Sequence, residues 1–455
     1  MLGTTGVGIM SLLQSTTNLL STLTSLGISS SAVRDISEAN GTNDTKRIGR
    51  VITVFRRWVW FTGILGTVLT IVMSPWLSQW TFGNRDYTTA FIFLSCTLLL
   101  SELSSGQITL LHGLQKLKDM AKANVIGSAI GLVVSIPIYY WIGVKGIVPT
   151  MILSSITALL ISWNYSRKVQ VEHSVITTKD TIKEGLGMVK LGILMTLSSF
   201  ISYFVAYLVN AFINRTGSVD DVGLYQAGWS ITNKYIGMVF TAMVTDYYPR
   251  LSKINHDNVQ VSEVVNQQTE IAILILSPIL IILLSTAPIV INVLYTSDFL
   301  PVVKFIQWVI PGILFMALSW SLGFIPLAKG DSKLYFLKES LSSVIVLSCY
   351  LIGYHFKGLE GLGIAYSVSC FLVYLYVKWI CKRKYNFHYS HELRKIFAFH
   401  FMMCTAAFLI TYIIGYPWGY LTGTVFLLIV GWQSWKTLDK KMGLKKIIKN
   451  KLKRN

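Results

Sequence analysis

VGIMSLLQSTTNLLSTLTSLGISSSAVRDISEAN, residues 7–40, can be laid on VGLYQAGWSITNKYIGMVFTAMVTDYYPRLSKIN, residues 222–255, at a shift of 215 without gaps. The two stretches share Val7/Val222, Gly8/Gly223, Ser15/Ser230, Thr17/Thr232, Asn18/Asn233, Ser37/Ser252 and Asn40/Asn255. Both are largely apolar, both end in a short basic loop, and six hydrophobic spans separate their starts. That pattern predicts a parallel internal repeat about an axis along a membrane normal, an arrangement used by transporters. In the first copy Ser11, Ser15, Asn18, Thr22, Ser25 and Ser29 recur at steps of three or four. In the second, Gln226, Ser230, Asn233, Gly237 and Thr241 do the same. Such spacing collects polar groups on one helix face, where they either hydrogen-bond a neighbouring helix or line a wet cavity.

Composition agrees with a chain immersed in lipid. Of 455 residues, 53% are hydrophobic and only 13% charged, about half the charged share of a soluble domain. The net charge of +19 sits between hydrophobic runs, as membrane topology requires, and no basic helix or motif points to nucleic acid. The five cysteines, Cys96, Cys349, Cys370, Cys381 and Cys404, form no CxxC pair, so neither a disulfide frame nor a metal site is indicated. His388 and His391 stand three apart in a basic loop, a spacing open to a metal but equally that of a solvated loop.

Runs long enough to span a bilayer fall at Gly6–Val33, Val51–Leu77, Tyr87–Leu111, Ala123–Ile142, Ile147–Tyr165, Leu191–Phe212, Val222–Tyr247, Glu270–Leu294, Phe305–Ala328, Leu337–Tyr354, Gly361–Ile380, Ile396–Ile414 and Tyr420–Trp435, thirteen in all. Alternate loops are rich in lysine and arginine and are assigned to the cytoplasm; the tail is among them, which leaves Met1 outside. A first helix missing before Met1 would resolve that oddity, and a short external N-terminus is the other solution. The predicted architecture is an all-α polytopic membrane protein of two pseudo-symmetric six-helix lobes with a terminal helix pair. The lobes are residues 1–165, lacking the first helix, and 191–381; residues 166–190 are a cytoplasmic linker, 396–435 the pair and 436–455 a basic tail. The linker is expected to lie in part on the inner surface.

Two ionisable groups lie deep: Lys234, mid-span, and Glu102. A charge at the bilayer centre costs roughly 3 kcal/mol or more, so it faces a partner or water. Lys234 is read as contacting an anionic substrate and Glu102 as coupling an ion, a proton or sodium gradient; pairing with each other is the structural alternative. Asn18, Asn233 and Gln226 are candidate cavity residues. Arg34 and Arg250, one position apart in repeat register, are either a cationic inner mouth or ordinary anchors. Arg56, Arg57 and Lys338 are near enough to the inner face to snorkel. Tyr225 and Trp229 suit either sugar stacking or an interfacial belt. Pro278, Pro311 and Pro326 mark two helices expected to flex.

The chain resembles the polysaccharide, O-antigen type, flippases of the multidrug/oligosaccharidyl-lipid/polysaccharide exporter superfamily. The first repeat copy is similar to the family's second helix and TFGNRDY from Thr81 to its first outer turn. LLHGLQKLKDMAKANVIGSAIG from Leu110 and WIGVKGIV from Trp141 resemble its fourth-to-sixth helix region, DVGLYQAGWSITNKYIGM from Asp221 with YYPRLSKI its eighth helix, and FIPLAKGDSKLYFLKES from Phe324 its tenth-to-eleventh turn. The resemblance implies fourteen helices, no cofactor, and an undecaprenyl-diphosphate-linked oligosaccharide as substrate, turned from the inner to the outer leaflet of the bacterial cytoplasmic membrane. It also implies membrane lipids as surroundings and a polysaccharide polymerase with chain-length machinery as partners. A multidrug/cation antiporter of the same superfamily is the first rival. A polymerase or ligase is the second, disfavoured by external loops of about ten residues or fewer.

Overall fold

The structure, a computed structural model, describes residues 2–42, 44–169, 176–416 and 418–443; the side chains of Leu194, Lys234, Tyr235 and Met442 lie outside the description. Among the described residues there is no strand, and the helices are α1 (Gly3–Thr24), α2 (Ile28–Gly41), α3 (Thr45–Phe82), α4 (Thr88–Gly113), α5 (Leu117–Ile142), α6 (Ile147–Ser166), α7 (Thr178–Thr216), α8 (Val219–Lys253), α9 (Asn258–Leu294), α10 (Val302–Ala328), α11 (Ser332–Tyr385), α12 (His391–Leu409) and α13 (Trp418–Met442). Each of the thirteen expected spans falls on this framework. Among the described residues, eight helical stretches are long and apolar enough to cross a membrane, and Leu117–Ser166 and Ser332–Tyr385 each hold two expected spans. α1, α8 and α13 are outside that set; in α1, the run Gln14 to Asn18 is polar throughout.

Helix starts at the loops assigned to the cytoplasm are capped by short polar side chains, which supply acceptors for otherwise orphaned N–H groups. Asp44 accepts from the N–H groups of Lys46 and Arg47 at 3.0 and 3.2 Å, Asp257 from Val259 and Gln260 at 2.8 and 3.2 Å, and Ser390 from Leu393 at 3.0 Å. Thr177 caps α7 through the Asp180 N–H at 3.2 Å. α7 therefore begins inside the segment read as linker. Its early turns lie on α3: Arg57 Nη1 donates to Thr181 Oγ1 at 2.7 Å, Trp58 Nε1 donates to the Thr181 carbonyl at 3.1 Å, and Arg50 pairs with Glu184 at 2.5 Å.

Among the described residues, non-helical backbone interrupts the helices at Leu26–Gly27 and at Lys357–Gly358, and neither place is at a proline. Leu26 and Gly27 take positive φ, 51° and 65°, and split the first expected span into α1 and α2. Lys357 and Gly358 leave helical geometry and divide α11 into arms 332–356 and 359–385. The proline-bearing helices α9 and α10 run on as single helices.

The chain divides into two compact units at Gly223 and Leu224. Unit 1 holds α1 to α7 with the first turn of α8, and so includes α7, which the sequence reading gave to the second lobe. Small residues set its close contacts. A Cβ on Gly8 would collide with the Val219 carbonyl, and one on Gly223 with the Thr4 carbonyl. The repeat-matched glycines thus lie backbone to backbone, and Thr4 and Thr5 both donate to Asp220 Oδ1, at 2.8 and 2.6 Å. α5 buries only Ala123, Gly127 and Gly131, the small-residue stripe that lets helices approach in lipid, and its other faces expose Val125, Leu132, Val133 and Trp141. Unit 2 holds the rest of α8 with α9 to α13. Its core gathers Tyr247, Ile273, Leu274, Leu318 and Leu322, with the Tyr247 hydroxyl donating to the Ser321 carbonyl at 2.7 Å.

Candidate functional site

Within unit 1, α1, α4, α5 and α6 enclose a cavity of about 300 Å³. Each helix contributes a pair of polar side chains four residues apart: Gln14 and Asn18 on α1, Thr97 and Ser101 on α4, Ser135 and Tyr139 on α5, Thr150 and Ser154 on α6. A spacing of four stacks side chains one above the other on one helix face, so four amphipathic helices turn four polar rows to the same space. Thr17 and Ser155 add two hydroxyls, and Met10 and Met151 are the apolar residues of the lining. Tyr139 is held by its hydroxyl against Met10 Sδ at 3.8 Å. No formally charged side chain is among the lining residues.

The walls are tied by further hydroxyls. Ser104 meets Ser162 at 3.1 Å and Ser166 donates to Gln107 Oε1 at 2.6 Å, which joins α4 to α6 below the cavity. Thr16 meets Thr81 at 3.2 Å, and Asn214 donates to the Thr81 carbonyl at 2.9 Å. In a bilayer such contacts replace the solvent-driven adhesion that helices have in water.

Of the residues read from the sequence, Asn18 lines this cavity. Glu102 does not: it follows Ser101 but turns a further 100° or so around α4, is 7% exposed, and accepts from Ser21 Oγ at 3.2 Å. Gln226 and Asn233 are half-buried on α8 in unit 2. Lys234 is in the same helix, and its side chain is outside the described set. Arg34 is exposed on α2, and Arg250 is exposed on α8, where it pairs with Asp246 at 3.2 Å. Two expectations are corrected. Tyr225 is in the interior of unit 2, edge-on to Phe305 and Tyr350 at 5.8 and 6.3 Å, and Trp229 packs on Tyr366 at 5.8 Å; they fill a core and form no surface belt or open stacking platform. Lys338 does not snorkel outward but is folded in against α10 and is 7% exposed. Arg57 reaches Thr181 and the Ile176 carbonyl at 2.7 and 2.9 Å. The cavity rows on α4, α5 and α6 escaped the sequence reading, although their spacing of four was visible.

Among the described residues the chain is all-helical, with many membrane-length apolar helices, which defines a multi-pass membrane protein, and its hydroxyl-lined cavity is within the helix bundle of unit 1. The family described as "Polysaccharide biosynthesis protein" matches residues 1–304, and the chain belongs to it, as a multi-pass protein of the bacterial cytoplasmic membrane. The chain is 21% identical over 383 residues to the lipid III flippase of Escherichia coli strain K12, covering 82% of this chain and 89% of the relative. Its fold is similar to that of the lipid II flippase MurJ in an inward closed conformation, with TM-score 0.68, 12% identity and coverage of 96% and 97% of the two chains. It is also similar to an inward-facing multidrug resistance MATE family transporter, with TM-score 0.69, 12% identity and coverage of 86% and 94%. Each of these relatives carries the name of a flippase or a transporter, and none that of a polymerase or ligase.

Proposed function

We propose that the protein turns an undecaprenyl-diphosphate-linked oligosaccharide, the repeat unit of an O-antigen or another surface polysaccharide, from the inner to the outer leaflet by alternating access. The observation that carries this reading is the uncharged cavity of unit 1. Hydroxyls and amides both donate and accept, which matches the alternating donors and acceptors around a sugar ring. A neutral lining also takes up a saccharide without leaving a buried charge unpaired. A cavity for cationic drugs would place a carboxylate on the lining, and the acid next to this one, Glu102, faces Ser21 instead. The lipid tail stays in the bilayer, so the protein has only the headgroup to shelter. Lys234, Arg34 and Arg250 are assigned to the diphosphate by charge, and Asn233 and Gln226 to sugar hydroxyls. Glu102 is assigned to coupling with a proton or sodium gradient. The product is handed to a polysaccharide polymerase with its chain-length machinery.

The test is the pair Asn18→Leu and Ser101→Leu in a strain lacking its own copy. Each removes cavity hydrogen bonds worth about 0.5–1.5 kcal/mol apiece, so the double variant should slow transfer by roughly ten- to a hundredfold. Surface glycan should fall while lipid-linked precursor accumulates at the inner face. Normal surface glycan in the double variant would overturn the reading, as would transport of a labelled organic cation by the purified protein with no transfer of precursor.

A further inference from the structure

Unit 2 has a cavity of its own, of about 340 Å³, between α10 and both arms of α11. Its chemistry differs from that of the first. Trp320 and Phe324 on α10 form an aromatic wall. Trp320 is braced by Phe240, Phe324 and Tyr247, with ring centres 4.7, 5.1 and 5.8 Å away, so this wall is rigid. Lys338 enters from α11 and lies over the Tyr335 ring at 5.0 Å. It pairs with Glu339, which also lines the cavity. Gly323 makes room for the ammonium: a Cβ there would come 2.9 Å from Lys338 Nζ. One turn beyond Lys338, Ser342 lines the same cavity, and its hydroxyl is buried with no hydrogen-bond partner among the described residues.

An ammonium buried in a membrane helix is costly and marks function by default. One carboxylate and one ring leave part of its three-donor capacity unused, and an unsatisfied hydroxyl beside it costs about 1–3 kcal/mol unless a ligand completes it. Flat aromatic walls suit the apolar face of a sugar ring. The carboxylate of Glu339 accepts from sugar hydroxyls. A ligand that satisfies all of these groups is a sugar ring bearing one acidic substituent.

We propose that this cavity is a saccharide subsite selective for an acidic sugar, a uronate or a sugar phosphate, with Lys338 on the acidic group, Ser342 and Glu339 on hydroxyls, and Trp320 with Phe324 against the ring. The inference rests on the saccharide-transfer reading and adds to it that the carried repeat unit contains an acidic residue. The full-length protein, purified in detergent, is tested by equilibrium dialysis against glucuronic acid, glucose 6-phosphate and glucose, with phosphatidylglycerol micelles as competitor. The two acids should bind about tenfold more tightly than glucose, the difference expected of one charge-assisted hydrogen bond. Lys338→Met should erase that preference and leave glucose binding unchanged. Gly323→Ala, which displaces the ammonium without removing it, should weaken acid binding in the same direction and serves where Lys338→Met does not give a monodisperse protein. Equal binding of acid and neutral sugars overturns the proposal, as does an acid preference that survives Lys338→Met or is undiminished by Gly323→Ala. Displacement of both acids by phosphatidylglycerol, which would make the site a lipid headgroup pocket, overturns it too. Transfer of lipid-linked oligosaccharide by the wild-type protein is read separately. A protein that transfers but shows no acid preference loses only this subsite, whereas one that transfers nothing loses the functional reading.

Discussion

Replacing Gly27 by alanine tests whether the break between α1 and α2 is wedged in place by α7. The perturbation has two parts. Gly27 has φ of 65°, and an L side chain in that region costs roughly 1–2 kcal/mol. Its Cβ would also run into the Gly192 carbonyl on α7, a backbone atom that cannot rotate away, and such overpacking costs about 1–3 kcal/mol. The sum is about 2–5 kcal/mol, or on the order of 10 °C in Tm for a unit of this size. Two companion variants separate the parts. Gly83 has φ of 80° with nothing within 4 Å of an added Cβ, so Gly83→Ala should carry only the conformational cost. Gly192 is helical, and its Cβ would stand 2.6 Å from the Gly27 carbonyl; Gly192→Ala carries the contact cost, offset by about 1 kcal/mol of better helix propensity. Thermal unfolding followed by size-exclusion chromatography of the detergent-solubilised chain reads all three. The order of damage should be Gly27→Ala first, then the other two. If Gly27→Ala is no worse than Gly83→Ala, the backbone contact does not hold the break, and the placement of the Asn18 row relative to α7 has been misjudged.

Three further outcomes are expected. Glu102→Gln keeps an acceptor for Ser21 Oγ, so the protein should stay folded and exchange substrate down its gradient while losing ion-driven accumulation; accumulation that persists would move coupling to another residue. The Lys384 ammonium, with Tyr385 and the Leu334 N–H, holds the Asp331 carboxyl below its usual value of 3.8. Because the folded value is the lower one, this stabilisation is complete above the unfolded value and is lost as pH falls through the folded one. Asp331→Asn should therefore lower Tm at neutral pH, with the difference from wild type closing at strongly acid pH; a constant difference would contradict the assignment. Arg50 and Glu184 are half-exposed, 50% and 37%, so a double-mutant cycle should give little coupling, and that lost at high salt; a strong coupling that persists in salt would mean that the α3–α7 strap is far better ordered than a surface pair.

The helices were legible because lipid imposes long apolar runs, and the alternation of basic loops followed from topology alone. Gly8 and Gly223, matched when the two stretches are overlaid, come together within unit 1. Asn18 was found because its row repeats along α1. The partner rows on α4, α5 and α6 were passed over because serine and threonine in membrane helices commonly bond their own backbone, as Ser135 does with the Gly131 carbonyl at 2.5 Å, so composition does not separate packing from lining. The break at Leu26–Gly27 was hidden because hydropathy continues through it, and its cause, Gly192, is 165 residues away in sequence. Lys338 was misread for a related reason: its distance from the span end suggested reach to water, but the space left by Gly323 draws the ammonium inward.

The central claim is that this protein moves a lipid-linked saccharide headgroup across a membrane. The most direct measurement is reconstitution of the purified full-length chain into vesicles carrying undecaprenyl-diphosphate-linked oligosaccharide in both leaflets, with a membrane-impermeant glycosidase outside. Digestion should run past the outer-leaflet share to near completion with the wild-type protein, and pass that share roughly ten- to a hundredfold more slowly with the Asn18→Leu/Ser101→Leu variant. Digestion that halts at the outer-leaflet share with the wild-type protein would contradict the account.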